Sequence, residues 1–170
     1  KIGLEIILFD VEDYGAPNHN SSFSDLQSMN DTWCLGSQYW GYNLPKDYQK
    51  PIFGMLLDMV GAKNAVFPKE EISRMYAGYH LNKVWKLGQY LGYGSFFKNK
   101  IAPPLTDDHT YINELTQIPT LDIIHYDLSP FTNRFDFGKF HHTHQDNMDI
   151  IDRKTLKAVG QTVLTYLYNN

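Results

Sequence analysis

The chain has 170 residues, with 15 Lys and Arg against 19 Asp and Glu, which gives a net charge of −4 at pH 7. We expect residues 1–170 to form one domain, because this length allows a sizeable core. The acidic balance and the absence of a basic cluster argue against nucleic acid or an anionic membrane surface as partner. No apolar run approaches the roughly 20 residues of a transmembrane helix. Cys34 is the single cysteine, which excludes an intrachain disulfide.

The first feature is an apolar run, Ile6-Ile7-Leu8-Phe9, that ends in the carboxylates Asp10, Glu12 and Asp13. The run predicts a strand buried on both faces, as in a largely parallel sheet. Acids just past such a strand lie where α/β sheets bind ligands. Adjacent side chains of an extended chain point apart, so either Glu12 or Asp13 could hold a metal while the other moves protons. The alternative is a solvated acidic turn. Because a central strand needs neighbours on both edges, we also expect part of the domain to precede residue 1.

Two elements follow a polar loop. Residues 32–43 are aromatic and predict a helix that covers the sheet. Residues 51–61 predict a second buried strand, which carries Asp58 near its end. A buried carboxylate is costly unless it is paired or bound to a metal. Asp58 is therefore a candidate for the functional site, with a structural acid that caps a turn as the alternative.

Residues 69–91 predict the longest helix, which ends before Gly92 and has acids in its first turn. Its apolar and aromatic side chains recur at helical spacing, at Ile72, Met75, Tyr76 and Tyr79. We expect this stripe to face the core. Residues 106–109 predict the start of another helix, capped by Thr106 or Asp107, and capping is also the alternative to a functional role for Asp107.

The last part of the chain contains a strand, a histidine cluster and a helix. Residues 120–126 predict a third strand, which carries His125. In His141-His142-Thr143-His144, three of four positions are histidine, as expected either of a solvated loop or of metal ligands. Asp152 is predicted to cap a final helix. The predicted core-facing side of that helix consists of Leu156, Val159, Val163 and Leu167. Strands alternate with helices, so the fold class is α/β.

Six ionisable residues fall at or just past the predicted strand ends, or in the adjoining loops. They are Glu12, Asp13, Asp58, Asp107, His125 and His142. Mixed carboxylate and imidazole ligands suit zinc. A carboxylate beside such a metal is the usual general base. The pattern therefore predicts a zinc site at the rim of the sheet.

Five segments carry a family resemblance. In chain order they are Phe9-Asp10-Val11-Glu12-Asp13-Tyr14-Gly15, Leu56-Leu57-Asp58-Met59-Val60-Gly61-Ala62, Thr106-Asp107-Asp108-His109, His142-Thr143-His144-Gln145-Asp146-Asn147 and Leu156-Lys157-Ala158-Val159-Gly160-Gln161-Thr162-Val163-Leu164. Together they resemble the C-terminal two-thirds of bacterial-type glutaminyl cyclases, which belong to the zinc aminopeptidase superfamily. The resemblance implies a three-layer α/β/α fold with a mixed, mostly parallel central sheet of the zinc-exopeptidase type, incomplete at the N-terminus.

The resemblance also implies roles for individual residues. Glu12 matches the general base and Asp13 the adjacent zinc ligand. His142, in the pattern His-Thr-x-x-Asp, matches the histidine ligand. Asp58 matches a carboxylate that binds a second zinc in the aminopeptidases and no metal in the cyclases. Asp107 matches the cyclase aspartate that hydrogen-bonds the base and the substrate.

Three further residues are predicted to contact the substrate: His125, Trp33 and His141. At position 141 the family typically has tryptophan, so this chain departs from the pattern there. The remaining zinc ligand of the family, an aspartate in a His-x-Asp segment, is expected upstream of residue 1. Zinc is the predicted cofactor, and catalytic zinc normally takes three protein ligands plus water.

The resulting prediction is a zinc-dependent cyclase that converts the N-terminal glutamine of a peptide or protein to pyroglutamate. Two alternatives remain open: a two-zinc aminopeptidase, and a non-catalytic binder of peptide N-termini. By analogy with similar proteins, we expect export to the periplasm or outer envelope of a Gram-negative bacterium.

Overall fold

The computed structural model of the chain describes residues 3–13 and 32–169. Both helices and strands occur, so the predicted α/β class is confirmed. The chain divides into two compact units. Unit 1 comprises Lys1–Gly54 and Thr106–Thr120, and unit 2 comprises Met55–Leu105 and Leu121–Asn170. That the whole chain forms one domain stays a prediction.

The helices and strands alternate along the chain. The helices are α1 (Leu35–Tyr42), α2 (Glu71–Tyr90), α3 (Asp108–Thr116) and α4 (Arg153–Tyr168), with a 3₁₀ turn at Met148–Ile150. The strands are β1 (Gly54–Asp58), β2 (Phe67–Glu70), β3 (Phe97–Ala102), β4 (Thr120–Ile124), β5 (Asp127–Leu128) and β6 (Phe135–Asp136). Within the described ranges they pair as β1 with β4, β2 with β3 in parallel, and β5 with β6 in antiparallel orientation. None of the helices described combines the length and the apolar character needed to cross a bilayer.

The core of unit 2 centres on the β2–α2–β3 unit. Helix α2 connects the two strands as a crossover, which parallel strands need. Trp85 of α2 donates its indole N–H to the carbonyl of Phe67 at 3.0 Å. The Trp85 ring also meets the edge of Phe97 at a centroid distance of 5.4 Å. Gly88 allows this close packing, since a Cβ there would lie 2.6 Å from the Phe97 ring. Strands β2 and β3 were not predicted. Pro68 and the charged residues obscure β2, and β3 buries only its two ends.

The helix predicted at residues 69–91 exists, but it buries a different face. Met75 is 69% exposed and Tyr79 is 65% exposed, so the predicted aromatic stripe faces solvent. The buried side consists of Ser73, Ala77, Leu81, Val84, Trp85 and Gly88. The reason is steric. The small Gly, Ala and Ser residues on this side let α2 approach the strands closely, and the large side chain of Trp85 then packs between the helix and the strands. Gly92 does follow the helix in the left-handed conformation, with φ +90°.

The strand predicted at residues 120–126 is confirmed as β4, in which every residue is buried. The strand predicted at residues 51–61 is shorter and only half-buried, with Leu57 47% exposed. Its prediction as a buried strand was therefore wrong. Among the described strands β1 pairs with β4 alone, so one of its edges is unpaired.

The buried strand predicted at the beginning of the chain is not formed. Residues 3–11 have no strand hydrogen bonding among the described residues, and Leu4, Ile6 and Leu8 are 65%, 77% and 91% exposed. The segment instead contacts the rest of unit 1 through Phe9. Its ring meets the ring of Trp40 in α1 edge-on, at a centroid distance of 5.9 Å. Without paired strands on its edges, the apolar pattern alone does not bury it.

Helix α4 lies where it was predicted, with its buried side shifted by about one residue. Leu156 is 43% exposed, and the buried residues are Thr155, Ala158, Val159, Thr162 and Tyr166. Asp152 occupies the N-cap position, but its side chain makes no capping hydrogen bond to the helix backbone. Thr155 explains the shift, because its hydroxyl donates to the carbonyl of Ala62 at 2.9 Å and turns that face inward.

Candidate functional site

Unit 1 brings together two of the predicted site residues and a thiol. One carboxylate oxygen each of Glu12 and Asp107 and the Sγ of Cys34 all lie within 4.8 Å of one another. Cys34 and Asp107 are only 1% and 4% exposed, and Glu12 is half-buried. We call these three residues the acid–thiol cluster. Its two carboxylates are the pair that the sequence predicted to act together as base and partner.

Backbone hydrogen bonds fix Glu12 within the cluster. The N–H of Cys34 donates to the carbonyl of Glu12 at 2.9 Å, and the N–H of Leu35 donates to the carbonyl of Val11 at 3.1 Å. Val11 is left-handed, with φ 54°, which is costly for a β-branched residue. These two hydrogen bonds thus attach the acidic segment to the start of α1, with Val11 in a strained backbone conformation.

Asp107 is positioned by its capping role. It is the N-cap of α3, and its Oδ1 accepts from the N–H of Asp108 at 2.6 Å. Thr110 completes a capping box with it. The capping alternative is therefore confirmed, and it does not exclude a functional role. The cap orients the carboxylate, and the partial positive charge of the helix N-terminus stabilises it as an anion.

The thiol in the cluster is held protonated. Burial, and then the charges of Asp108, Asp107 and Glu12, raise the pKa of Cys34 far above its ordinary value. Burial also raises the pKa of Asp108, against the opposing hydrogen bonds of Ser37 and Cys34. The Sγ of Cys34 lies 3.9 Å from Oε1 of Glu12, with the thiol as donor. No pattern in the sequence indicates this contact, which joins residues far apart in the chain.

Unit 2 contains a pocket of about 230 Å³ with two carboxylates in its lining, those of Asp58 and Asp146. Phe140 and Ile151 supply apolar wall. Asp58 was a predicted site residue. Asp146 was noted only as the last position of the His-Thr-x-x-Asp pattern, which was the signal that could have found it.

His125 is held as a neutral imidazole of defined tautomer. Its Nδ1 accepts from the N–H of Val66 at 3.0 Å, so the ring proton lies on Nε2. Burial lowers its pKa, and the charges of Asp127 and Asp136 partly oppose that shift. The ring stacks on Phe140 with an interplanar angle of 21°. His125 therefore lies directly behind one wall of the unit 2 pocket.

The two adjacent histidines lie in a short turn. The rings of His141 and His142 stack at 3.7 Å, and Phe137 packs against His141 at 4.7 Å. We call residues 141–146 the histidine turn. His142 is exposed, and so is Asp13 in unit 1, so their donor atoms are accessible to an ion. A carboxylate and an imidazole are each a donor that zinc takes, so each residue by itself suits the predicted metal.

The predicted site residues are divided between the units. Glu12, Asp13, Trp33 and Asp107 belong to unit 1, whereas Asp58, His125, His141 and His142 belong to unit 2. The described contacts bring Glu12 to Asp107, His141 to His142, and Asp58 into a pocket. Trp33 is half-buried at the start of α1, where its carbonyl accepts from Gln38. The assignment of a role to each residue stays a prediction.

Comparison with known proteins adds a family. The model of peptidase family M28 matches residues 1–167. A comparison with curated proteins finds no match. Among solved structures, a glutaminyl cyclase of Tannerella forsythia is 44% identical, with a TM-score of 0.83 over 95% of this chain and 53% of that chain. A Zn-dependent exopeptidase of Parabacteroides distasonis gives the same identity, TM-score and coverage.

A third similar structure carries an aminopeptidase name. The leucine aminopeptidase precursor of Bacteroides thetaiotaomicron is 44% identical, with a TM-score of 0.81 over 95% of this chain and 51% of that chain. The chain thus spans about half the length of each of these relatives. The match to the family model over nearly all residues and the high identity to these structures agree. The chain belongs to peptidase family M28, and its resemblance to bacterial glutaminyl cyclases is confirmed.

Proposed function

We propose that this protein is a zinc-dependent glutaminyl-peptide cyclotransferase, which converts the N-terminal glutamine of a peptide to pyroglutamate and releases ammonia. The observation that carries the proposal is the meeting of Glu12 and Asp107 in one cluster. The identity of 44% to the Tannerella forsythia glutaminyl cyclase supports it. The substrate class would be the free N-terminus of a peptide or protein.

The reaction is an intramolecular acyl transfer. The α-amino nitrogen of the substrate forms a bond to the side-chain carbonyl carbon, and the bond from that carbon to the amide nitrogen breaks. Glu12 takes the proton that the α-amino group loses and delivers it to the departing nitrogen, which leaves as ammonia. Nucleophile and electrophile belong to one residue, so the protein has only to fold the glutamine side chain back on itself.

Asp107 assists the base in this scheme. Two carboxylates within 4.8 Å are more stable when they share one proton than when both are charged. The cap of α3 fixes the Asp107 side of that pair, so Glu12 has a partner of constant position during the proton transfer. Asp13 and His142 are the residues of this chain that would hold zinc. When bound, the ion polarises the substrate carbonyl.

The test is Glu12→Gln in the zinc-loaded protein at its natural full length. We expect kcat for ammonia release from Gln-initiated peptides to fall by about 10²–10⁴-fold, the usual contribution of a general base. Asp10→Asn is the matched control, because Asp10 is an exposed acid of the same segment. Full cyclisation by the Gln variant would rule the proposal out. A wild-type protein that binds these peptides without turnover would instead support the non-catalytic binder.

A two-zinc aminopeptidase is the second candidate. The similar structure named as a leucine aminopeptidase precursor favours it, and Asp58 would then hold the second ion. Two tightly bound zincs per chain, together with hydrolysis of a leucyl anilide, would select this function over cyclisation. The predicted export to the bacterial envelope remains a proposal, which fractionation of the native cells would test.

A further inference from the structure

Cys34 contacts Glu12 in two ways at once. Its backbone N–H donates to the carbonyl of Glu12 at 2.9 Å. Its Sγ lies 3.9 Å from Oε1 of the same residue, with the thiol as donor. The glutamate is therefore held at both the main chain and the carboxylate by one residue, 22 positions away in the sequence.

The character of the thiol suits this contact. Cys34 is 1% exposed, so water does not compete for its hydrogen bond, and the competing acceptor is the carboxylate of Asp108. A thiol held protonated is a neutral S–H donor, and an ionised carboxylate is an acceptor only. A neutral donor can fix the direction of the carboxylate without forming an ion pair with it.

We propose that Cys34 is a positioning residue for Glu12, holding its carboxylate against Asp107 so that it meets the substrate amine in one orientation. This inference rests on the proposed function of Glu12 as base. A glutamate side chain has three rotatable bonds, and Glu12 is only half-buried. The thiol removes much of that freedom on the Asp107 side, because the three groups occupy one small cluster.

The expected effect is on turnover rather than on substrate affinity. Cys34→Ala removes the donor and leaves Glu12 free to rotate, so kcat for cyclisation should fall by about tenfold, since small displacements of a reacting group cost up to about 100-fold. KM should change less than about twofold, because Cys34 is not expected to touch the substrate. Cys34→Ser keeps a donor, but on a shorter bond and with a shorter hydrogen-bond distance than sulfur, so it should recover only part of the lost kcat.

Thr116→Ala is the matched control for loss of a buried side-chain donor from the same unit. Thr116 is 1% exposed and donates to the carbonyl of Ile112 at 2.6 Å, outside the acid–thiol cluster. We expect this variant to lower thermal stability without lowering kcat. A crystal structure of Cys34→Ala supplies a readout that does not depend on activity, in which the Glu12 carboxylate should have left Asp107.

The experiment separates this inference from the proposed function. Unchanged kcat in Cys34→Ala, or an equal loss in Thr116→Ala, would overturn the positioning role. So would a crystal structure in which Glu12 keeps its place after the thiol is removed. If the wild-type protein does not cyclise glutamine, the proposed function fails. The crystal structures of wild type and Cys34→Ala then decide the positioning role by themselves.

Discussion

The acid–thiol cluster of unit 1 and the histidine turn of unit 2 are built in contrasting ways. The cluster is largely buried, and its members are held by a helix cap and by backbone hydrogen bonds across distant parts of the chain. In the histidine turn residues 142–146 are exposed, and the turn's backbone bonds are local, such as that from Asp146 to Thr143. The comparison teaches that the proposed proton-transfer residues lie in a buried region held by long-range hydrogen bonds, whereas the proposed zinc ligand His142 lies in an exposed turn held by local ones.

The largest expected effect tests the turn. His142→Ala should remove zinc from the full-length protein and lower activity by more than the roughly 10- to 100-fold that loss of an outer-sphere partner of a metal causes. The measurement is metal content together with kcat. His144→Ala is the control, because His144 is exposed in the same turn and is not a predicted ligand. Equal loss of zinc in both variants would contradict the assignment of His142.

The next effect separates the two roles of Asp107 in the cluster. Asn is as good an N-cap as Asp, so Asp107→Asn should keep the stability of α3. It removes the negative charge beside Glu12, and we expect kcat to fall by about tenfold or more. Asp107→Ala should lose about 1 kcal/mol of stability in addition. Chemical denaturation and steady-state kinetics on both variants measure the two effects. An Asn variant with wild-type kcat would reduce Asp107 to a cap alone.

A smaller effect tests the rigidity of the cluster. Val11 has φ 54°, a conformation that glycine adopts at low cost. Val11→Gly should raise the free energy of unfolding by about 0.5–1 kcal/mol, because relief of strain exceeds the added entropy of the unfolded chain. Val11→Ala removes the β-branch but retains the Cβ, and should change stability less. If Val11→Gly instead destabilises the protein, the clamp on Glu12 is less strained than the backbone angle indicates.

The smallest effect is a difference in pH dependence between the two units. The lowered pKa of His125 contributes stability to the folded state above pH 6.5, and this contribution is lost as the pH falls below that value. The raised pKa of Asp108 acts in the opposite direction. Its contribution to stability is present at low pH and is lost as the pH rises above 3.8. His125→Asn keeps an acceptor for Val66 and cannot be protonated. It should flatten the decline in unfolding free energy below pH 6.5. An unchanged decline would assign it to groups other than His125.

The sequence predicted elements well where one short stretch decides the outcome. The cap at Asp107 and the fully buried β4 are examples, because capping chemistry and a short segment rich in Leu and Ile are local signals. Prediction failed where burial depends on partners. The apolar run at Leu4, Ile6 and Leu8 has no described strand beside it and faces solvent. Strand β3 was missed because its middle residues are polar and exposed.

Prediction of the candidate site likewise succeeded for residues in local motifs and failed for contacts between distant segments. Motif order was enough to indicate Glu12 and Asp107, and the described contacts bring those two together. The contact between Cys34 and Glu12 was not predictable, since nothing in the periodicity of either segment reports a meeting across 22 positions. Asp146 could be identified as a site candidate only from the structure, in which it lines the same pocket as Asp58.

The tautomer of His125 has a consequence for inhibitor chemistry. Since Val66 uses the lone pair of Nδ1, the outer nitrogen of the ring offers a hydrogen and has no electron pair to share. A small molecule directed at this imidazole would need an oxygen acceptor, such as an amide or sulfonamide, at the matching point of its scaffold. A protonated amine at that point would place a second donor against the Nε2–H group, and this repulsion would lower the affinity.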